Sequence, residues 1–437
     1  MLATMPRFLR TASAAVSPTA AFPTIFIQLR GGWDPCYHFA ARTGMPSRGV
    51  TADGIKQTAA GVRWYQPTLA AMAPHMEDAA IIRNVRMSSN IDHHTGLVEL
   101  WYGKANDAIA RPPWTNVLAS ALLSRSSAVA PNVTSYWKRE YSASDRDTDY
   151  VKFHNPSPDP LGAAQRILDI GAFASSLDTS MGLPPTAEQL AVYAAIGKSD
   201  ARLYNPRLQS TTVGQFGQAN AQANDLLGRT VGPVWPPDTA TRRLFNLGDA
   251  DLGKTGFQAT PHLKPMTALA FQLARNQASH VISMVASDNY SYDNHGGASP
   301  TTYQQTTGTR YFDDIARLLS ALKATPSPLD PTVSMFETTH VVIASEMGRS
   351  ANAENTNGTF HHDATHVACF GGRFKRGYGF GDLDGQLNAI PADFNTGALN
   401  QGSTATWMDV VATILQANGV DPATYSTAKP INAVLKP

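Results

Sequence analysis

The sequence predicts an α/β fold on a mainly parallel central sheet, covered by helices and carrying an inserted polar cap. Three observations support it. Short apolar runs rich in β-branched residues alternate with longer amphipathic runs along most of the 437 residues. Acids and histidines gather just after the short runs, where open parallel sheets bind ligands. Hydrophobic residues make up 43% and charged residues 16%, the balance of a chain that buries a large core.

Residues 1–22 read either as a degraded export signal or as an ordinary frayed terminus. Arg7 and Arg10 precede a small-residue stretch from Ala14 to Ala21, with no adjacent arginine pair and with Ser17-Pro18 interrupting it. Residues 23–437 then read as one domain. Thr24 to Leu29 (TIFIQL) is a buried strand ending in a Gly31-Gly32 turn, and Ala79 to Met87 is a second strand. A helix follows from Thr95 to Trp101. From about residue 130 to 255 the texture turns polar and reads as a cap-like insertion without core strands, with helices near Leu161 to Ile170 and Ala187 to Ile196. Beyond it, Met266 to Arg275 and Arg310 to Lys323 are amphipathic helices, and His280 to Val285, Val341 to Ala344 and His366 to Phe370 are strands. Ala405 to Asn418 closes the chain as a helix.

The bulk properties exclude several functions. Net charge is +1 with no basic tract, which argues against nucleic acid and anionic membrane surfaces as partners. No window approaches the roughly 18 apolar residues of a membrane span. Two cysteines, Cys36 and Cys369, exclude a disulfide scaffold and a four-cysteine zinc site, leaving one disulfide or two buried thiols.

Four strand ends collect the residues that could carry chemistry. The first ends in Asp34 after Gly31-Gly32. The second leads into Ser89, Asp92, His93, His94 and Thr95. The third leads into Asp288, Asp293 and His295. The fourth holds Glu346 and Arg349, then His361, His362 and Asp363. Singly, each has a structural reading: Asp34 closes a turn, Asp92 makes an Asx turn, and Arg349 is an ion-pair partner. Together they point to a site, because five of the twelve histidines fall in these loops. Carboxylates with imidazoles suit one or two divalent ions, zinc, manganese or calcium. Such ions would polarise an ester oxygen and activate a hydroxyl or water. Thr95 or Ser89, near a helix start, is the candidate nucleophile.

The run from Val342 to Ser350 (VIASEMGRS) resembles the "ASEFGR" signature of the DUF1501 family, function-unassigned bacterial proteins usually exported by the twin-arginine route. Leu29 to Asp34 resembles that family's "RGG-x-D", Tyr292 to His295 its "WDTH", and Phe360 to Gly372 its "DHW" segment. Gly377 to Asp382 is similar to its "GG-x-x-YG-x-TD" tail, and Trp407 to Leu415 to its "DLYATLL" helix. The family is placed in the alkaline phosphatase and sulfatase superfamily. The resemblance therefore implies an alkaline-phosphatase-like three-layer sandwich and a phosphate or sulfate ester substrate, small or polymer-linked. It implies Asp34, Asp293, His295, Glu346 and one of His361 or His362 as metal ligands, beside His93 and His94 read from the loops. It also implies a periplasmic or secreted protein, or a cytoplasmic one if the weak signal does not function. Two departures stand out: Glu346-Met347 replaces the superfamily's frequent Asp-His, and no motif fixes the nucleophile. A metal-dependent ester hydrolase is the expected function, and a catalytically inactive binding or assembly protein on the same fold is the alternative.

Overall fold

Strand β1 (Thr24–Leu29) is buried along its whole length and lies inside a nine-stranded sheet. The computed structural model describes residues 21–45, 48–87, 92–103, 112–123, 125–126, 128, 131–136, 166–169, 237–248, 251, 263–286, 292–295, 301–354 and 358–437. After β1, a small hairpin of β2 (Ile55–Gln57) and β3 (Arg63–Tyr65) precedes β4 (Ala79–Arg86). Helices α1 (His93–Tyr102) and α2 (Trp114–Leu123) follow, then β5 (Asn132–Tyr136) and β6 (Arg166–Asp169). Helices α3 (Thr239–Leu244) and α4 (Lys264–Arg275) lead to β7 (Val281–Ala286), and α5 (Thr306–Ala324) leads to β8 (His340–Ala344). Strands β9 (Gly348–Ala353) and β10 (Thr359–His362) form a hairpin, and β11 (Ala364–Phe370) re-enters the sheet. The chain closes with β12 (Tyr378–Phe380), a β13 (Asp382–Leu383) and β14 (Ala389–Ile390) pair, β15 (Ala405–Thr406) and helix α6 (Trp407–Ala417).

The sheet order is β12-β4-β11-β8-β1-β7-β5-β6, with β15 also on β4. Every pairing is parallel except those of β11 with β4 and β8. The exception has a simple cause. The chain leaves β8 at the sheet's carboxyl edge, turns through the β9–β10 hairpin there, and re-enters from the same edge, so β11 must run backwards. The hairpin is thereby left standing over the edge where the other loops meet.

Side chains of β1 alternate between two cores, as strand geometry requires. Ile25, Ile27 and Leu29 pack with α4 and α5 on one face, and Phe26 packs with α1, α2 and α6 on the other. Phe26 meets Trp101 and Trp114 edge-on, with ring centres 5.6 and 5.3 Å away. The indoles of Trp114 and Trp407 both donate to the Leu100 carbonyl at 2.9 Å, so neither buries an unsatisfied N–H. The protein is thus α/β with a mainly parallel sheet and helices on both faces.

The structure corrects two expectations in the polar middle region. Residues 166–169 form β6 rather than part of a helix, and β5 with β6 extends the sheet beyond β7, so the region does carry sheet strands. The reason is backbone pairing: β7 presents an open edge to β5 and β5 in turn presents one to β6, and satisfying those N–H and C=O groups outweighs local helical pattern. The helix expected at Ala187 to Ile196 lies outside the described residues, as do residues 1–20. No helix among the described residues is long and apolar enough to cross a membrane. Cys36 and Cys369 are buried and not bonded to each other.

Candidate metal centre

Helix α1 begins two residues earlier than its pattern suggested, because Asp92 caps it. Asp92 accepts the Thr95 N–H at 2.8 Å and the Thr95 hydroxyl at 2.5 Å. His93 therefore sits at the first helical position. Gly96, one turn on, lets the helix press against the end of β8: a Cβ there would lie 2.6 Å from the Glu346 carbonyl oxygen. That approach brings His93 Nδ1 to 2.8 Å from Glu346 Oε1. Glu346 is fully buried. It also accepts the Gly31 N–H at 2.7 Å on Oε1 and the Ser345 hydroxyl at 3.0 Å on Oε2.

Beyond β7, Asp293 and His295 reach the same point from one loop, His295 Nε2 lying 3.2 Å from Asp293 Oδ1. Asn294 between them is buried and accepts the Thr359 hydroxyl at 2.8 Å, tying the loop to β10. Within β10 the alternation of a strand separates the histidine pair. His361 turns inward. His362 instead turns back on its own strand end, its Nδ1 accepting the Ala364 N–H at 3.0 Å.

Four side chains converge from three segments: His93, Asp293, His295 and His361 offer ligand atoms that all lie within 4.8 Å of one another. His93 Nε2 is 3.3 Å from Asp293 Oδ2, His295 Nε2 is 3.2 Å from Asp293 Oδ1, and His295 Nε2 is 2.7 Å from His361 Nε2. A tetrahedral zinc ion with bonds near 2.0–2.1 Å separates its ligands by about 3.3 Å; the spacings from His93 and His295 to Asp293 are of that size, each to a different carboxylate oxygen, and the histidine pair needs a small opening. Two of the imidazoles are braced from behind by carboxylates: His93 Nδ1 by Glu346, and His295 Nδ1 by Glu354 Oε1 at 2.6 Å. A carboxylate at Nδ1 accepts the ring N–H and so leaves the Nε2 lone pair toward the cluster.

The electrostatics fit a cation. Burial works against charge on His93, yet its hydrogen bonds to the Asp293 and Glu346 carboxylates outweigh it and push its pKa up to about 9. Burial would likewise raise Asp293, but His93 and the Arg349 guanidinium hold its carboxyl well below the usual range. Glu346 is also held low: burial opposes this, and His93 with the Gly31 N–H overcomes it.

The structure corrects several expected roles. Asp34 is fully buried away from this group, its Oδ2 paired with Arg48 Nε at 2.6 Å and its Oδ1 accepting the Cys36 N–H at 2.9 Å. Both oxygens are committed, so it braces the turn after β1. Glu346 stands behind His93 rather than among the ligand atoms. His362 is turned away by the pleat. Arg349 is fully buried and does not face substrate: it donates to the Gly32 carbonyl at 3.0 Å, the Thr359 carbonyl at 2.9 Å, the Gly31 carbonyl, and Asp293 Oδ1 at 2.8 Å. It holds Asp293, not Glu346. The Thr95 hydroxyl is engaged by the Asp92 cap. Ser89, Asp288 and the side chain of His94 lie outside the described residues. Glu354 was missed from sequence; the available signal was a second acid eight residues after Glu346, flanking the same loop. Among the histidines read as structural, His38 donates from Nδ1 to the Asp34 carbonyl at 2.8 Å and His366 stacks on Trp33 at 4.0 Å.

Residues 254–430 match the model of a family described as "Protein of unknown function (DUF1501)". The matched stretch contains Asp293, His295, Glu346, Glu354 and His361, while His93 precedes it. No curated protein matches the chain.

Proposed function

We propose that this chain, whose residues 254–430 match the model of a family of proteins of unknown function, DUF1501, is a metal-dependent hydrolase of a phosphate or sulfate ester. The observation that carries this reading is the convergence of His93, Asp293, His295 and His361 at the carboxyl edge of the sheet. Three imidazole nitrogens and one carboxylate suit zinc, and less well manganese; calcium asks for six to eight oxygens. A divalent ion held there would polarise an ester oxygen and acidify a water. The chain's own residues do the positioning. Glu346 and Glu354 fix two rings, Arg349 fixes Asp293, and Asn294 ties the Asp293 loop to the hairpin. The ester class rests on the resemblance to the alkaline phosphatase and sulfatase superfamily, and export from the cytoplasm on the resemblance to a family usually exported by the twin-arginine route. Fractionation of cells producing the full chain checks the second, and retention in the cytoplasm contradicts it.

One observation favours a second reading, a non-catalytic member of the same fold. Arg349, the cation expected to take an anionic substrate, is spent on the loop, and the Thr95 hydroxyl is spent on its cap. Metal analysis of the purified, reconstituted protein, followed by turnover of aryl phosphates and sulfates with zinc, manganese or calcium, separates the two. Bound metal with turnover supports the hydrolase. Bound metal without turnover supports the second reading, and metal-free protein after reconstitution sinks the hydrolase.

A further inference from the structure

The β9–β10 hairpin contributes two things to the cluster, and only one is a candidate ligand. His361 lies on β10. Glu354 lies just past β9 and reaches the far side of the His295 ring, its Oε1 2.6 Å from Nδ1. His295 is the most exposed of the four, with 42% of its side chain open to solvent, whereas Glu354 is 14% exposed. A half-exposed imidazole on a loop is free to rotate and to switch tautomer unless something holds its second nitrogen. His93 has that hold from Glu346, buried at the end of β8. For His295, the only contact at Nδ1 among the described residues is Glu354.

We propose that Glu354 is a positioning residue of the centre: it fixes His295 with Nε2 toward the ion, so the hairpin both supplies a ligand and aims its neighbour. This rests on the metal-centre reading. The two carboxylate–histidine pairs come from different elements, Glu346 from just past the end of β8 and Glu354 from the β9–β10 hairpin. The site is therefore braced by the central sheet and by the hairpin. Removing Glu354 leaves all four ligand side chains present and leaves the β9–β10 pairing intact, since its carboxylate takes no part in that ladder.

The test uses the full chain, stripped with a chelator and titrated with zinc against a chromophoric competitor, and with cobalt to read ligand geometry from its visible spectrum. Glu354→Ala is expected to weaken zinc binding about 10- to 100-fold and to lower the intensity of the tetrahedral cobalt bands. Glu354→Gln, whose amide oxygen still accepts from Nδ1, is expected to recover part of the affinity. The melting temperature of the metal-free variants should equal that of the parent. Wild-type affinity in Glu354→Ala overturns the proposal. So does a loss matched by a fall in metal-free melting temperature, which would make Glu354 a support of the hairpin instead. An unmodified protein that takes up no zinc or cobalt overturns the underlying metal-centre reading, a result distinct from either.

Discussion

At the scale of single residues, neighbours of identical type part company because of what lies behind them. His361 and His362 are adjacent, yet the pleat of β10 sends only the first into the cluster. His361→Ala is therefore expected to weaken zinc binding by more than about 100-fold, since losing a ligand costs more than losing its brace, while His362→Ala stays within about threefold. Competitive titration checks both. Asp34 and Asp293 look alike in sequence, each following an apolar run. Arg48 neutralises the first within a fully buried pair, and Arg349 holds the second by one oxygen while its other faces His93. The sequence showed where acids and histidines collect. It did not show which member of each pair faces inward, because that depends on strand phase and on cations distant in sequence. Arg349→Met should cost about 3–5 kcal/mol in chemical denaturation, because Asp293 and three backbone carbonyls lose a buried charged donor together.

At the scale of elements, the site depends on how α1 begins. Asp92 caps the helix, and Gly96 permits its contact with the Glu346 backbone. Asp92→Ala is expected to lower stability by about 1 kcal/mol and to weaken metal binding as well, since His93 sits in the turn that frays. Loss of stability with unchanged affinity would contradict that coupling. Periodicity revealed the core strands and the long helices; in α5, Phe312, Ile315, Leu318, Leu319 and Leu322 are all buried as their spacing required. It did not reveal β6, because an edge strand is specified by the neighbour it pairs with more than by its own four residues.

At the scale of the whole molecule, buried titratable groups set opposing trends of stability with pH. Burial depresses His38 to about 4 and His340 to about 3, from an ordinary value of 6.5. Below 6.5 the unfolded chain binds more protons than the folded one at these positions, so stability is lost as pH falls through that window. Asp314, buried beneath α4, is pushed the other way, up to about 6 from 3.8. There the folded state binds more protons, so its contribution falls as pH rises from about 4 to 6 and stays low above. Asp314→Asn should raise stability by on the order of 3 kcal/mol at pH 7 to 8 and leave it unchanged near pH 3, as read by denaturant titration at both pH values. An equal effect at both would show that burial does not raise the Asp314 pKa. The sheet, its two cores and the hairpin at its carboxyl edge together place four donors at one point. The most direct test is a crystal of zinc-reconstituted protein measured on both sides of the zinc absorption edge. One anomalous peak is predicted, about 2.0–2.2 Å from Nε2 of His93, His295 and His361 and from an Asp293 carboxylate oxygen. A map with no peak among these four side chains would contradict it.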